Sequence, residues 1–104
     1  MLAMGFEQAS KQNKPILLLF IMTGCSACKH YEPDFDKFSA RYADKFVVAK
    51  ENVSFSFSNI AARLGVQGVP ALFIIEPQKH DAYKMNYDCM WDQACFEKTL
   101  TDYK

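Results

Sequence analysis

Two cysteines separated by two other residues stand in the stretch TGCSACKH, which directly follows the apolar run PILLLFIM. A thiol pair with this spacing is a redox disulfide, half of a metal site, or two ordinary buried side chains. The apolar run predicts a strand and the residues after it predict a helix, so Cys25 falls at a helix N-terminus. Unpaired backbone N–H groups and the helix dipole favour a thiolate there, and the thiolate is the nucleophile of disulfide exchange. The three-residue offset places Cys28 beneath Cys25 on the same helix face, which predicts one attacking sulfur and one buried, resolving sulfur.

Cys89 and Cys95 are the other two cysteines of this four-cysteine chain. They could supply two further ligands to a metal ion, but the five residues between them are not a usual spacing for zinc. We therefore expect no metal. A local Cys89–Cys95 disulfide and two unpaired buried thiols both remain open, because cysteine is among the residues most often buried.

Helices and strands that alternate along the chain are predicted to position the thiols. Residues 16–22 are apolar throughout, which indicates a strand buried on both faces of a sheet. Tyr31, Phe35, Phe38 and Tyr42 recur at three- and four-residue spacing and predict one face of a helix. The predicted elements are helix 5–12, strand 16–22, helix 26–42, strand 45–52, helix 58–64, strand 71–76, strand 82–87 and helix 92–103. The last two strands are expected to be antiparallel, since the turn between them is too short for a crossover.

The composition limits the partners and the location of the protein. With 104 residues, half of them hydrophobic, the chain predicts one packed domain spanning 1–104. Twelve basic and twelve acidic residues cancel without a long block of either sign, which argues against nucleic acid and anionic membrane surfaces as partners. The longest apolar run is far shorter than the ~20 residues of a membrane-spanning helix, so we expect no membrane insertion. The opening residues MLAMGFEQAS hold no recognisable signal peptide, which leaves the compartment open.

A proline just before a predicted strand supplies a third feature. In GVQGVPALFII, Pro70 precedes a buried strand, where proline is tolerated only at the first residue. With Cys25 and Cys28 placed as they are, the chain resembles the thioredoxin superfamily over essentially its whole length. That family shares a CxxC motif at the end of a central strand, a proline one and a half turns into the next helix, and a cis-proline opposite the thiols. Pro33 and Pro70 occupy the two proline positions here.

The resemblance implies a thioredoxin fold, an α/β architecture with a central mixed four-stranded sheet and helices on both faces. It also implies a protein-disulfide oxidoreductase in which Cys25 attacks and Cys28 resolves, without an organic cofactor. Val69 and Pro70 would dock an extended substrate segment. The other residues implied by the resemblance are Gly24, Ser26 and Ala27 around the thiols, and Lys29 and Lys50 at basic positions of thioredoxins.

Four positions depart from the thioredoxin pattern. Gly24 stands where thioredoxins have tryptophan, a Ser-Ala pair replaces Gly-Pro between the cysteines, and Leu19 stands where they have a buried carboxylate. That carboxylate helps to move the proton of the resolving cysteine. Without it, the proton of Cys28 would go to water, to Lys50 or to the leaving thiolate. Because the Ser-Ala pair adds no cationic or histidine donor, the thiols are expected to be less oxidising than an oxidase-type pair, which favours a reductase or electron-transfer role.

Location, partners and alternative functions rest on the same resemblance. The opening GFEQASKQNKPILLLF is similar to the beginning of exported bacterial thioredoxin-like domains, which predicts a periplasmic or otherwise exported protein; a cytoplasmic reductase is the alternative. The implied partners are protein thiol or disulfide substrates and a redox partner protein, and a monomer is expected. In the family, the region of Cys89 lines the substrate groove, so Cys89 is also a candidate third redox thiol. Two other classes of function remain: a binding module without turnover, and a protein that holds a metal through all four cysteines.

Overall fold

Four strands form one mixed sheet in the computed structural model, which describes residues 11–54, 60–79 and 81–103. In chain order they are β1 Ile16–Ile21, β2 Val47–Asn52, β3 Ala71–Glu76 and β4 Asp81–Lys84. Across the sheet their order is β2-β1-β3-β4. β1 runs parallel to β2 and antiparallel to β3, and β4 runs antiparallel to β3. The predicted mixed four-stranded sheet is therefore confirmed, including the antiparallel pairing of its last two strands.

β1 occupies the interior of the sheet, which explains its unbroken apolar sequence. Leu18 pairs with Ala49 of β2 on one side and with Phe73 of β3 on the other. The side chains of residues 16–20 are all buried, as expected for a strand covered on both faces. β1 ends one residue earlier than predicted, and Met22 is 44% exposed.

Helices cover the sheet and connect its strands. They are α1 Ser26–Ser39, α2 Ile60–Arg63, α3 Tyr87–Trp91 and α4 Gln93–Asp102, and a 3₁₀ turn, Ala40–Tyr42, follows α1. The helix predicted over 26–42 thus ends in this tighter turn. Of the predicted helix 5–12, only Lys11 and Gln12 lie within the described residues, and both are helical. The rest of that helix, and the start of the one predicted over 58–64, lie outside the described residues.

β2 begins at Val47, later than the predicted residue 45. The backbone N–H groups of Lys45 and Phe46 both donate to the carbonyl oxygen of Tyr42, at 3.0 and 2.9 Å. These two residues therefore close the turn after the 3₁₀ segment and are not free to pair with β1.

Two apolar cores lie on opposite faces of the sheet. Alternate residues of β1 contribute to each, as the two-residue period of a strand requires. The α1-side core contains Leu17, Leu19, Tyr31, Phe35, Phe38, Phe46, Leu72, Ile74, Met85, Cys89, Met90, Phe96 and Leu100. The α2-side core contains Ile16, Leu18, Phe20, Val47, Ala71, Phe73 and Ile75, with Ile60, Ala61 and Leu64 packed against it.

Aromatic side chains join α1 to α4 in the α1-side core. Tyr31, Phe35 and Phe38 are buried on α1 as predicted, whereas Tyr42 lies in the 3₁₀ turn and is only partly buried against the same core. The ring of Phe96 lies 5.3 Å from that of Phe38 and 6.3 Å from that of Phe35, centroid to centroid. Leu100, one turn later, is also fully buried, so Phe96 and Leu100 form the inward face of α4.

The segment between β4 and α4 differs from the prediction. The strand expected over 82–87 ends early, and Tyr87 instead begins α3. The side chain of Asn86 accepts a hydrogen bond from the backbone N–H of Asp88 at 2.9 Å, so it caps a helix where a strand end was expected. As a result Cys89, expected in a loop, lies within α3.

Candidate active site

Cys25 is the N-cap residue of α1. Its backbone is extended, with φ −85° and ψ 106°, and its Sγ accepts a hydrogen bond from the backbone N–H of Cys28 at 3.0 Å. The same sulfur lies 3.8 Å from the carbonyl oxygen of Val69. An N–H group directed at the sulfur and the positive end of the helix dipole together stabilise a thiolate at this position.

The turn that precedes Cys25 requires a glycine. Gly24 has a φ of 83°, in the left-handed region where a side chain is disfavoured. The backbone N–H of Cys25 closes the turn onto the carbonyl oxygen of Met22 at 3.2 Å. A Cβ at Gly24 would contact no other atom, so the backbone conformation and not the available space selects glycine here.

Hydrogen bonds hold the loop before the thiols against the loop after β2. The side-chain amide of Asn52 donates to the hydroxyl of Thr23 at 3.2 Å, and the backbone N–H of Thr23 donates to the hydroxyl of Ser54 at 3.3 Å. The backbone N–H of Val53 donates to the carbonyl oxygen of Ile21 at 2.9 Å. The position of the thiol motif is therefore set by the end of the neighbouring parallel strand.

Cys28 lies beneath Cys25 and is joined to it at disulfide distance. Their Cα atoms are 5.2 Å apart. Cys28 is 2% exposed, whereas Cys25 is only partly buried. A partner molecule can therefore reach the sulfur of Cys25 more easily than that of Cys28.

The other predicted residues of α1 lie around the thiols with different exposure. Ser26 is exposed and Ala27 is half-buried. Lys29 is exposed directly after the motif, and Pro33 lies within the helix with its ring exposed. These side chains present no charged group between the two sulfurs.

Val69 and Pro70 lie next to the thiols, at the same end of the sheet. The peptide bond between them is cis, and Pro70 is buried directly before β3. The first residue of β3, Ala71, pairs with Phe20 near the end of β1. The antiparallel pairing of β1 and β3 thus brings the start of one strand to the end of the other, where Cys25 follows.

An open groove runs along both sides of Val69. The Cys25 half of the groove has a volume of about 440 Å³ and a mostly apolar lining that includes Met22, Val53, Ala61 and Val66. The α3 half has a volume of about 310 Å³ and is lined by Pro70, Lys84, Tyr87 and Met90, among others. Gly68 and Val69 line both halves, so the two halves lie next to each other at Val69.

Lys50 is held by two carboxylates of α1. Its ammonium lies 3.0 Å from a carboxylate oxygen of Glu32 and 3.0 Å from one of Asp36. It also lies over the ring of Phe35, 6.0 Å from the centroid. Burial lowers the pKa of Lys50, but the hydrogen bonds to Asp36 and Glu32 and their charges outweigh this, so the pKa is raised above its usual value. A lysine held in its charged form by two carboxylates is poorly suited to accept the proton of Cys28.

Leu19, at the position of the family's buried carboxylate, is fully buried in the α1-side core. Tyr31 is in the same core, and neither its hydroxyl nor the indole N–H of Trp91 has a hydrogen-bond partner among the described residues. The two rings contact each other, with centroids 4.9 Å apart. Burial and, secondarily, the charge of Asp34 raise the pKa of Tyr31 above its usual value. Within the described ranges, the buried carboxylate is that of Glu51 on β2, which is not a member of this core.

Cys89 and Cys95 are joined to each other in the structure. Their Cα atoms are 5.2 Å apart, and the bond links α3 to the first turn of α4. Of the alternatives, the local disulfide is therefore the one present, and the sulfur of Cys89 is not free to approach Cys25. All four cysteines lie in the described part of the chain, and no three His, Cys, Asp or Glu side chains of that part form a group able to hold a metal.

Several groove residues were not predicted from the sequence. Met22 is adjacent to the motif and 44% exposed. Its position at the end of an apolar run, directly before the motif, is a signal in the sequence that could have placed it at the site. Tyr87 had been assigned to a strand, which concealed its position beside Pro70. Val53 and Val66 come from loops on different sides of α2, and no local pattern relates them to Cys25.

The sequence model of the family described as Thioredoxin matches residues 3–101. The chain belongs to the thioredoxin family. It is 39% identical to protein disulfide-isomerase A5 of Bos taurus over 67 residues, which are 64% of this chain but only 13% of that protein. It is 31% identical to a thioredoxin of Alicyclobacillus acidocaldarius subsp. acidocaldarius over 72 residues, which are 69% of this chain and 68% of that protein.

The fold is shared with solved thioredoxin domains. The first thioredoxin domain of mouse protein disulfide-isomerase A4 superposes with a TM-score of 0.72 at 21% identity, over 95% of this chain and 73% of that one. Family membership and the Cys25–Cys28 pair at disulfide distance identify a thiol–disulfide oxidoreductase domain. None of the helices in the described ranges has the length and apolar character needed to cross a membrane.

Proposed function

We propose that this domain reduces disulfides of protein substrates, with Cys25 as the attacking thiol and Cys28 as the resolving thiol. The observation that carries the proposal is the placement of the Cys25 sulfur, which accepts the N–H of Cys28 at 3.0 Å and lies 3.8 Å from the carbonyl oxygen of Val69. The apolar groove on both sides of Val69 supports docking of an extended substrate segment beside that sulfur.

In the first exchange, the thiolate of Cys25 attacks one sulfur of a substrate disulfide. The substrate S–S bond breaks, a mixed disulfide forms between Cys25 and the substrate, and the second substrate sulfur leaves as a thiolate. The N–H of Cys28 stabilises the attacking thiolate before the bond forms, because it is already directed at the Cys25 sulfur.

In the second exchange, Cys28 attacks the Cys25 sulfur of the mixed disulfide. The Cys25–Cys28 bond forms and the remaining substrate sulfur leaves, so two electrons have passed from the domain to the substrate. The proton of Cys28 goes to a leaving substrate thiolate or to water. The position of Leu19 in an apolar core and the ion pairs of Lys50 support this route over a side-chain base.

The direction of electron flow follows from how little stabilises the Cys25 thiolate. The residues between the cysteines are Ser26 and Ala27, which carry no charge, and the ammonium of Lys50 is paired with Glu32 and Asp36. A pair becomes strongly oxidising when its reduced, thiolate form is specially stabilised. With the helix N-terminus as the main stabilising feature, the pair is proposed to act as a reductant.

A trapping experiment tests the assignment of the two cysteines. The Cys28→Ala variant, with Cys25 as a free thiol and the Cys89–Cys95 disulfide intact, is mixed with insulin, and covalent adducts are counted by intact mass. We expect a one-to-one mixed disulfide through Cys25, because the second exchange cannot occur. The matched Cys25→Ala variant is expected to form none. An equal amount of adduct from both variants would reject the assignment, and no adduct from either would favour a binding module without turnover.

A redox titration in defined thiol buffers tests the direction of flow. Free thiols are alkylated at each potential and counted by mass for each peptide. A Cys25–Cys28 midpoint near the thioredoxin value of about −270 mV is expected, whereas a midpoint near the oxidase value of about −120 mV would reverse the direction.

The site of action is proposed to be the periplasm or another exported compartment of a bacterium, with the domain acting as a monomer. The likeness of the opening residues to exported thioredoxin-like domains supports this location. Fractionation of the source cells checks it, and a purely cytoplasmic protein would favour the alternative. Sedimentation equilibrium of the purified chain checks the monomer.

A further inference from the structure

The Cys89–Cys95 disulfide joins a buried position of α3 to an exposed position of α4. Cys89 is 8% exposed and belongs to the α1-side core, while Cys95 is exposed in the first turn of α4. Asp92, between the two helices, accepts the backbone N–H of Cys95 at 3.2 Å and donates its own to the carbonyl oxygen of Cys89 at 3.2 Å. The disulfide therefore closes a compact corner that fixes the direction of α3 relative to α4.

α3 depends on such anchors because it is only five residues long. A helix of that length is not stable by itself, since nucleation costs more than its few hydrogen bonds return. Besides the disulfide, its anchors are the buried side chain of Met90 and the contact of Trp91 with Tyr31, at 4.9 Å between ring centroids. The side chains of Cys89 and Met90 join α3 to the α1-side core, and Met90 also lines the groove.

The face of α3 that carries Tyr87 and Met90, three residues apart, forms one wall of the α3 half of the groove. Tyr87 lines that wall together with Lys84, across from Pro70, and is 50% exposed. Its ring lies 6.1 Å from that of Trp91, centroid to centroid. An exposed tyrosine in a groove offers a large, rigid contact surface with a polar tip, and such residues often dominate binding to polypeptides.

We propose that Tyr87 is a specificity-determining contact for polypeptide substrates and that the Cys89–Cys95 disulfide is the element that positions it beside Val69 and Pro70. This inference rests on the proposed function, in which a substrate segment lies along the groove. It adds that discrimination between polypeptides and small thiol compounds comes from the α3 wall, outside the CxxC motif.

The test measures how fast two reductants reduce the Cys25–Cys28 disulfide of the oxidised protein. Dithiothreitol is too small to span the groove, whereas the reduced insulin B chain carries its thiols on a polypeptide that is long enough to do so. In each case two thiols of the reductant become a disulfide, and Cys25 and Cys28 become thiols, by the exchanges above in reverse. Because the proposed function sends electrons from the domain to its substrates, each reductant is present in large excess and initial rates are measured, so that mass action drives this reverse direction. Alkylation and peptide mass count Cys25–Cys28 separately from Cys89–Cys95.

The quantity compared between variants is the ratio of the B-chain rate constant to the dithiothreitol rate constant. For Tyr87→Ala this ratio is expected to fall about tenfold, the usual effect of truncating a dominant contact. Tyr83→Ala is the matched control, because Tyr83 is 48% exposed on β4 and is not part of the groove lining. Its ratio is expected to stay within about twofold of the unmodified protein.

Removal of the disulfide tests the positioning. Cys89→Ala/Cys95→Ser is expected to lower the ratio about three- to tenfold, and adding Tyr87→Ala to it is expected to lower the ratio much less than in the unmodified protein. A disulfide that only stabilises the fold would give independent, multiplicative effects instead, and this outcome would overturn the positioning role. If the double variant does not unfold cooperatively, Cys95→Ser alone, which leaves the core position unchanged, replaces it.

The two levels of the hypothesis fail in different ways. If dithiothreitol does not reduce Cys25–Cys28 in the unmodified protein, the proposed function is wrong. If it does, but Tyr87→Ala behaves like Tyr83→Ala, only the inference about the α3 wall is wrong.

Discussion

At the scale of single residues, one position separates this domain most clearly from the family pattern. Leu19 stands where thioredoxins have a buried carboxylate, and it is fully buried among apolar side chains. A carboxylate there would have to lose its hydration, which is costly. Leucine therefore fits this position, because the side chains of the surrounding core are mostly apolar.

The variant Leu19→Asp tests this description of the core. Burial is expected to raise the pKa of the introduced carboxyl above the unfolded value of about 3.9. The folded variant then holds its proton more tightly than the unfolded chain, so stability is retained at low pH and lost as pH rises towards the folded pKa. The free energy of unfolding, from urea titrations, should fall by about 2–4 kcal/mol more at pH 8 than at pH 5.

The matched control is Leu19→Asn, which is equally polar but does not ionise near these pH values. Its cost is expected to be the same at both pH values. If Leu19→Asp showed no greater pH dependence than Leu19→Asn, the site would be hydrated or paired, and the apolar description would be wrong.

At the scale of secondary-structure elements, capping residues decide where the last two helices begin. Asp92, the first residue of the predicted final helix, caps α4, since its side chain accepts the backbone N–H of Cys95 at 3.2 Å. Asn86 caps α3 in the same way, but this was not predicted because the residues before it alternate as a strand does. A short helix with one cap and few turns leaves too weak a periodic signal to outweigh that alternation.

The variant Asp92→Ala is expected to reduce the free energy of unfolding by about 1 kcal/mol, because the first turn of α4 loses a hydrogen-bond acceptor. Chemical unfolding of the oxidised protein measures the change. The control Asp102→Ala removes an aspartate at the other end of α4, whose exposed ion pair with Lys98 should contribute little because solvent screens it. Equal losses in the two variants would show that capping is not what Asp92 contributes.

At the scale of the whole molecule, Tyr103 ties the end of α4 to the sheet, far from the thiols. Its hydroxyl donates to a carboxylate oxygen of Glu76 at 3.1 Å, and its ring lies 5.7 Å from that of Phe46, centroid to centroid. Burial raises the pKa of Tyr103 to about 12, and the hydrogen bond to Glu76 and the charges of Glu76 and Asp81 act in the same direction. The folded molecule therefore favours the neutral phenol.

This shift predicts a loss of stability in alkali. Unfolded tyrosine loses its proton near pH 10, so the contribution of Tyr103 is fully present below about pH 10 and is lost as pH rises towards 12. Urea unfolding at pH 9 and pH 11 should show a smaller alkaline loss for Tyr103→Phe than for the unmodified protein. Because burial also raises the pKa of Tyr31, some loss should remain. Equal losses in both proteins would contradict the prediction.

The sequence by itself determined the features that depend on near neighbours in the chain. The spacing of Cys25 and Cys28, and their place between an apolar strand and a helix, indicated a redox pair because three residues return to the same face of a helix. The unbroken apolar run of β1 predicted a strand covered on both faces. The aromatic stripe of α1 predicted one face of a helix. The position of Pro70, directly before β3, completed the likeness to the thioredoxin family.

Only the tertiary structure decided which distant residues meet at the site. The sulfur of Cys25 and the carbonyl of Val69 are 44 residues apart in the chain, and the sheet order brings them together. The ion pairs of Lys50 with α1 and the position of Tyr87 beside Pro70 arise in the same way. Such contacts depend on how complete elements pack, and the free energy that selects them comes from burial of the two cores, which no short stretch of sequence contains.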